Sequence, residues 1–274
     1  MQGGGTLELD GGLGHGGLSS LSESQNWANL ARGPTMLSNA IAALLNNCLV
    51  FEQHCQLCGQ RPCASGVCAA CVATLAPPAA TRCPVCAAAA ASSLVPCGHC
   101  LRAAPAFARL HAAYGYDYPL DGLIGACKYG RQPALQGALA SLLRQQLQST
   151  PQRPEIDLVV AVPLAPARLA ERGFNLPDAL AQAVAATIGG RIVHDLCVRK
   201  RNTAPQAALD RRQRLRNVRD AFCVKRRCDG LSIAIVDDVA TTGATLDALA
   251  KALQKAGAKR VEAWVLARAS DHKI

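Results

Sequence analysis

Asp237 and Asp238 stand side by side at the end of an apolar run, "LSIAIVDD", and "VATTGAT" follows at once. The small residues Val239, Ala240, Thr241, Thr242, Gly243, Ala244 and Thr245 lead into "LDALAKALQKAG", which has helical spacing. A helix that opens near Gly243 turns unpaired N–H groups and a positive dipole end outward, and that end accepts a phosphate. The three threonine hydroxyls add donors, and glycine lets the backbone come close. Two carboxylates just before such a turn suit the paired hydroxyls of a ribose. Together these residues point to a ribose 5-phosphate group. A Walker loop is excluded, because G-x-x-x-x-G-K-[ST] does not occur.

A second group of reactive residues is cysteine. Nine of the fourteen lie between Cys55 and Cys100, and eight of these form C-x-x-C pairs: Cys55/Cys58, Cys68/Cys71, Cys83/Cys86 and Cys97/Cys100. A two-residue spacer aims both thiolates of one turn at a single ion, and two such turns close a tetrahedron. Four pairs make two structural Zn2+ sites with complete ligand sets. Two pairings fit the spacing; the sequential one, with each pair joined to its neighbour, is expected over an interleaved one. Disulfides would need an oxidising compartment, and no export signal precedes the run, so a cytoplasmic location is expected. Cys48, Cys127, Cys197, Cys223 and Cys228 show no ligand spacing and are expected as small buried side chains.

The third feature is charge. The chain carries a formal +10, of which +9 falls between Arg199 and Arg227. Any anionic partner is therefore to be sought there. Arg211, Arg212 and Arg214 are candidates for contacts to the phosphates of a nucleic acid, although Phe222 is the one aromatic in this stretch and stacking on bases would be weak.

These residues need elements to hold them. "RLHAAYGYD" reads as a strand, and "YPLDGLIGACKYGR" and "QPALQGALASLLRQQLQ" as helices. "IDLVVAVP" reads as a buried strand, and "FNLPDALAQAVAATIGG" as a helix capped by Asn175 with Pro177 in its first turn. "RVEAWVLAR" reads as a last strand. Alternation of this kind makes an α/β fold: a mostly parallel sheet with helices on both faces, whose ligands sit beyond the carboxyl ends of the strands. The expected organisation is a Gly/Ser-rich tail over 1–35, a short helix over 36–52, the double zinc ribbon over 53–104 and the α/β domain over 105–274. A formal G-x-G-x-x-G at Gly12, Gly14 and Gly17 lacks a strand before it and is discounted. The folded part is expected to start near Met36. No run of strongly apolar residues is long enough for a membrane span.

"IVDDVATTGAT" resembles the phosphoribosyl pyrophosphate (PRPP) loop of type I phosphoribosyltransferases. With the Cys-rich region, "LIGACKYGR", "AVPLAPARLAERGFN" and "RKRNTAPQAALDRRQRLRNVRDAF" in this order, the chain resembles the ComF family of competence-associated proteins. The resemblance implies that residues 237–245 bind PRPP with Mg2+, and that Pro163, Leu164, Arg168 and Arg172 bind its pyrophosphate. It places Arg199, Arg201, Thr203, Gln206, Arg212 and Asn217 on a loop that closes over the ligand. Leu176 stands where the family carries glutamine. A role in DNA uptake, through handling of single-stranded DNA, is the implied function. The alternatives are an active phosphoribosyltransferase of nucleotide metabolism and a zinc-ribbon scaffold that docks a DNA-uptake helicase or another competence protein. Replacing Arg211, Arg212 and Arg214 together by Ala is expected to weaken single-stranded DNA binding and flatten its salt dependence, each lost phosphate contact reducing the slope by about 0.7; filter binding across a salt series reads both.

Overall fold

Short apolar runs punctuated by helices form a parallel sheet when each strand can be buried on both faces, and here the pattern delivers one. The computed structural model describes residues 54–270, apart from 61, 76, 78, 79, 131, 150–153 and 201–220. All of these belong to one compact unit, Glu52–Ile274. The amino-terminal tail, the helix expected from Met36 and the glycines at 12, 14 and 17 lie outside the described residues.

In chain order the elements are α1 (Ala69–Val72), α2 (Gly98–Arg102), β1 (Arg109–Gly115), α3 (Leu120–Tyr129), α4 (Leu135–Gln148), β2 (Leu158–Ala161), α5 (Pro166–Arg172), α6 (Leu176–Ile188), β3 (Arg191–Ile192), β4 (Cys197–Arg199), β5 (Phe222–Val224), β6 (Ser232–Ala240), α7 (Ala244–Lys255) and β7 (Arg260–Arg268). The main sheet runs β1-β7-β6-β2-β3, and every neighbouring pair is parallel. β4 and β5 form a separate antiparallel pair.

Side chains alternate across the strands into two cores. Val159, Ala234, Val236, Trp264 and Leu266 face a core that includes Leu123 and Ile124 of α3, Leu139 and Leu142 of α4, and Leu180 and Val184 of α6. Leu158, Val160, Ile233, Ile235, Val261 and Ala263 face the other, with Leu246, Leu249 and Leu253 of α7 and with Cys197 and Phe222 of the β4–β5 pair. No helix among the described residues is long and apolar enough to cross a membrane.

The order of the strands places the site. From β2 the chain passes outward to β3, whereas from β6 it passes the other way to β7, so the winding reverses between β2 and β6. At such a switch point the loops after two adjacent strands diverge and leave a crevice. The residues after β2 and those ending β6 are neighbours there: the Val162 amide donates to the Val236 carbonyl at 2.8 Å.

The two cysteine-rich turns attach to different cores. Cys55, Val67, Cys68 and Leu75 belong to the core under α4, and Ala87, Phe107 and Leu110 to the core under α7. Gly66 is what brings the first turn close. It takes φ +78°, and a Cβ there would lie 2.5 Å from the Ala138 Cβ of α4. Gly66→Ala is expected to cost about 2–4 kcal/mol, combining a left-handed backbone penalty with overpacking. Chemical denaturation of the two proteins measures it, and a loss below about 1 kcal/mol would mean the turn can lift off α4.

Candidate functional site

β6 is the longest apolar strand entering the crevice, and its last turn of pleat carries Asp237 and Asp238. The Asp237 carboxylate accepts from the Asp238 backbone amide at 2.9 Å, which orients the Asp237 side chain. Asp238 is 6% exposed, so its charge needs a partner. Lys128, in the last turn of α3, supplies it: its ammonium donates to Asp238 Oδ1 at 2.6 Å. Burial opposes the charge on Lys128, but Asp238 outweighs it and the ammonium is held above its ordinary pKa. Among the described residues Asp237 has no such direct cation. Burial and the neighbouring Asp238 charge push it up to about 7, against the opposing pull of Lys128, the Asp238 amide and Arg199.

After Ala240 the chain turns through Thr241 and Thr242 to Gly243, which takes φ +77° and is the N-cap of α7. Only glycine adopts that angle without strain. The Ala244 amide rests on Thr242 Oγ1 at 3.3 Å. The turn thus presents the amino end of a 12-residue helix beside the two carboxylates, as its residue types led us to expect. Val239 and Ala240 end β6 before the turn and Ala244 opens α7 after it, while Thr241 and Thr242 in the turn and Thr245 in α7 are half-buried.

The segment after β2 approaches from the other side of the switch point. Pro163 and Leu164 follow the strand, and α5 then carries Arg168 and Arg172, both half-buried. Arg172 lies over the Tyr129 ring, 5.4 Å from its centroid, so the carboxyl ends of α3 and α5 meet. Arg199, at the end of β4, senses Asp237 as an attractive charge and Arg168 as a repulsive one, while burial depresses its own pKa. Arg168 of α5, Arg199 of β4 and Asp237 of β6 are therefore linked electrostatically through Arg199, whereas Arg172 is placed by Tyr129. Arg201, Thr203, Gln206, Arg211, Arg212, Arg214 and Asn217 lie outside the described residues.

Asn175 has another task than the one its position suggests. It occupies the N-cap of α6 but makes no side-chain cap. Its amide instead donates to the Val162 carbonyl at 3.2 Å, tying the start of α6 to the end of β2. Sequence reasoning took a capping residue for what is a clamp on the crevice wall. It also assigned no role to Lys128, whose partner is 110 residues away; the lysine after Cys127 in "LIGACKYGR" was the available signal.

The eight paired cysteines gather as two sets, Cys55/Cys58/Cys68/Cys71 and Cys83/Cys86/Cys97/Cys100, in the sequential arrangement. Within each set the four sulfurs lie within 4.8 Å of one another. The sulfurs of Cys58 and Cys68 are 3.9 Å apart, and those of Cys86 and Cys97 3.7 Å. Bonds of about 2.3 Å to a tetrahedral Zn2+ put sulfurs roughly 3.8 Å apart, far outside disulfide length. The donor chemistry agrees. The amides of Cys68 and Cys97 point at the sulfurs of Cys55 and Cys83. Burial raises both thiols, but amides overcome it and bring each down to about 6. Desolvation and the sulfurs around it push Cys71 up to about 12, the response of a cluster that needs a cation to ionise fully. Of the other cysteines, Cys127, Cys197 and Cys228 are buried as expected, whereas Cys223 is half-exposed; Cys48 lies outside the described residues.

A carboxylate pair and phosphate-type turn at the switch point of a parallel sheet define a type I phosphoribosyltransferase domain, here preceded by two four-cysteine centres. Residues 171–273 match the family model described as phosphoribosyl transferase domain. The chain is 36% identical over 206 residues to the DNA utilization protein YhgH of Salmonella typhimurium, covering 74% of this chain and 90% of the relative. It is 31% identical over 179 residues to Competence protein F of Haemophilus influenzae, covering 63% and 78%. Competence protein ComFC of Streptococcus pneumoniae is 31% identical over 157 residues, covering 57% and 67%. The chain belongs to the ComF family.

The two aspartates should respond oppositely to amidation. Unfolded, Asp237 releases its proton near the usual carboxylate pKa of about 4; folded, it holds the proton to about 7. The native state therefore binds the extra proton between those values, so this residue makes stability fall as pH rises through the window and leaves a constant cost above it. Asp237→Asn is expected to stabilise the ligand-free protein above pH 7 by on the order of 2 kcal/mol, with the difference from wild type vanishing near pH 4. Asp238→Asn is expected to cost about 3 kcal/mol by stranding the Lys128 ammonium, most of it recovered by adding Lys128→Met. Urea unfolding across pH 4–8 separates the cases.

Proposed function

We propose that this chain is a PRPP-binding ComF protein that supports DNA uptake by handling single-stranded DNA. The observation that carries the PRPP reading is the placing, at one switch point, of the Asp237–Asp238 pair and the Gly243 turn after β6 beside the arginine-bearing α5 after β2. Relatives named for DNA utilization and for competence support the process. In this reading Asp237 and Asp238 accept hydrogen bonds from the ribose hydroxyls, and residues 241–245 hold the 5-phosphate at the amino end of α7. Arg168 and Arg172, after Pro163 and Leu164, answer the pyrophosphate charge. Lys128 holds Asp238 Oδ1 and so fixes the side chain, leaving the other carboxylate oxygen as an acceptor.

The hard carboxylate oxygens beside a pyrophosphate segment also fit Mg2+, which when bound with PRPP would neutralise charge on the leaving group. The two cysteine sets fit structural Zn2+, because every ligand position is filled by the protein and none is left open for catalysis. The run from Arg199 to Arg227 is the expected contact for the DNA phosphates, and a competence helicase or similar protein is the expected partner.

The test is ligand stabilisation. PRPP with Mg2+ at about a hundred times its Kd should stabilise the zinc-loaded wild type by about 2.7 kcal/mol, and Asp237→Asn should abolish the shift while remaining folded. An equal shift in the variant would remove the carboxylates from the ribose site. Pyrophosphate release, followed with PRPP and a panel of bases, then separates a transferase from a binding protein.

A further inference from the structure

The second four-cysteine centre and the phosphate turn are joined by one side chain. Arg268 closes β7, between the ends of β1 and β6. Its Nε donates to the carbonyl of Cys86, a member of that centre, at 3.2 Å. Its Nη1 donates to the carbonyl of Ala240 at 3.2 Å, to that of Ala269 at 2.8 Å, and to that of Thr241. The guanidinium thus spans from the metal-binding knuckle to the two residues that open the phosphate turn. A planar fork of fixed donors transmits position in a way that a flexible ammonium cannot.

Neighbouring contacts hold the same two bodies in register. Val85, inside the Cys83/Cys86 knuckle, accepts from the Leu110 amide of β1 at 2.7 Å. The chain leaving the second centre seats Phe107, 3% exposed, with its ring 3.8 Å from where a Gly243 Cβ would stand. One residue earlier, the Ala106 amide donates to Asp247 Oδ1 in the first turn of α7 at 2.8 Å, and Gln254 donates to the Ala106 carbonyl at 2.7 Å. The knuckle is therefore fixed to both ends of the turn: to Ala240 and Thr241 through Arg268, and to Gly243 and α7 through Ala106 and Phe107.

We infer that Arg268 is a positioning residue through which the second four-cysteine centre sets the phosphate turn, so that metal at Cys83/Cys86/Cys97/Cys100 and a phosphoribosyl ligand at 237–245 bind cooperatively. The cooperativity rests on the PRPP reading; the positioning does not. A metal-bound knuckle holds the Cys86 carbonyl in place, the guanidinium carries that placement to the Ala240 and Thr241 carbonyls, and the amides of the next residues are aimed accordingly. Linkage is reciprocal, so the ligand must hold the metal as much as the metal favours the ligand. The first centre makes no such contact among the described residues, its attachment being to α4, and it should be indifferent to the ligand.

The experiment uses the zinc-loaded full chain and Arg268→Gln, with Arg268→Lys as a milder variant that can still fold if the first does not. Zinc transfer to a colorimetric chelator is followed with and without PRPP and Mg2+. The expectation is that PRPP slows release of one zinc of the two by about 10-fold in the wild type and that this protection is lost in either variant. Independently of PRPP, amide exchange of a peptide spanning 237–246 should quicken in the variants while that of β2 and α6 is unchanged. Equal zinc release with and without bound PRPP, or protection that survives in the variants, overturns the cooperativity. Unchanged exchange at 237–246 overturns the positioning role. A wild type whose melting temperature PRPP does not move fails the PRPP reading instead, and the exchange comparison still decides what Arg268 does.

Discussion

Two carboxylates side by side at a poorly solvated strand end repel each other and lose their hydration, so the crevice depends on how that charge is met. It is met unequally. Lys128 is committed to Asp238; Asp237, among the described residues, has only more distant cations, and desolvation with the Asp238 charge makes it cling to its proton. This inequality costs stability in the empty protein and leaves one acid ready for an external donor or cation. Native folds keep costs of that kind mainly where a ligand removes them.

Everything around the pair is arranged to present it. The reversal of winding between β2 and β6 opens the crevice; Asn175 clamps the end of β2; Gly243 turns the chain so that α7 points its amino end at the same space. α3 contributes little to that space except its last turn, yet that turn carries Lys128 and the Tyr129 ring on which Arg172 rests. The pair, the clamp and the turn come from segments far apart in the chain. Only the sheet brings them together.

Much of this was legible in advance because it is local. The DD-to-TTGAT transition, the C-x-x-C spacing and the long periodic helices each declare themselves within a dozen residues, and β1, α3, α4, β2, α6, β6, α7 and β7 fall where the patterns put them. The sequential gathering of the cysteines also follows the shortest loops. What escaped notice is non-local or short. α5 has seven residues and β3, β4 and β5 two or three each, too few for a period to register. The Lys128–Asp238 pair spans 110 residues, and the Arg268–Cys86 contact 182. Asn175 misled for a different reason: its helix position is that of a cap, and only the nearby Val162 carbonyl diverts its side chain.

The two cysteine centres illustrate how attachment shapes what a structural metal can do. The first is seated by shape, with Gly66 against Ala138 and with Cys55, Val67 and Cys68 in an apolar core. Such contacts are non-directional: they stabilise the whole but carry little information about the orientation of any one carbonyl. The second adds directed hydrogen bonds, from Arg268 to Cys86 and from Leu110 to Val85. Their strength falls steeply with misalignment, so a knuckle that moves must move its partners or lose them. A fold that needed only extra stability from metal could have seated both centres as it seats the first. Placing the second within one guanidinium of the Gly243 turn ties its geometry to that of the crevice.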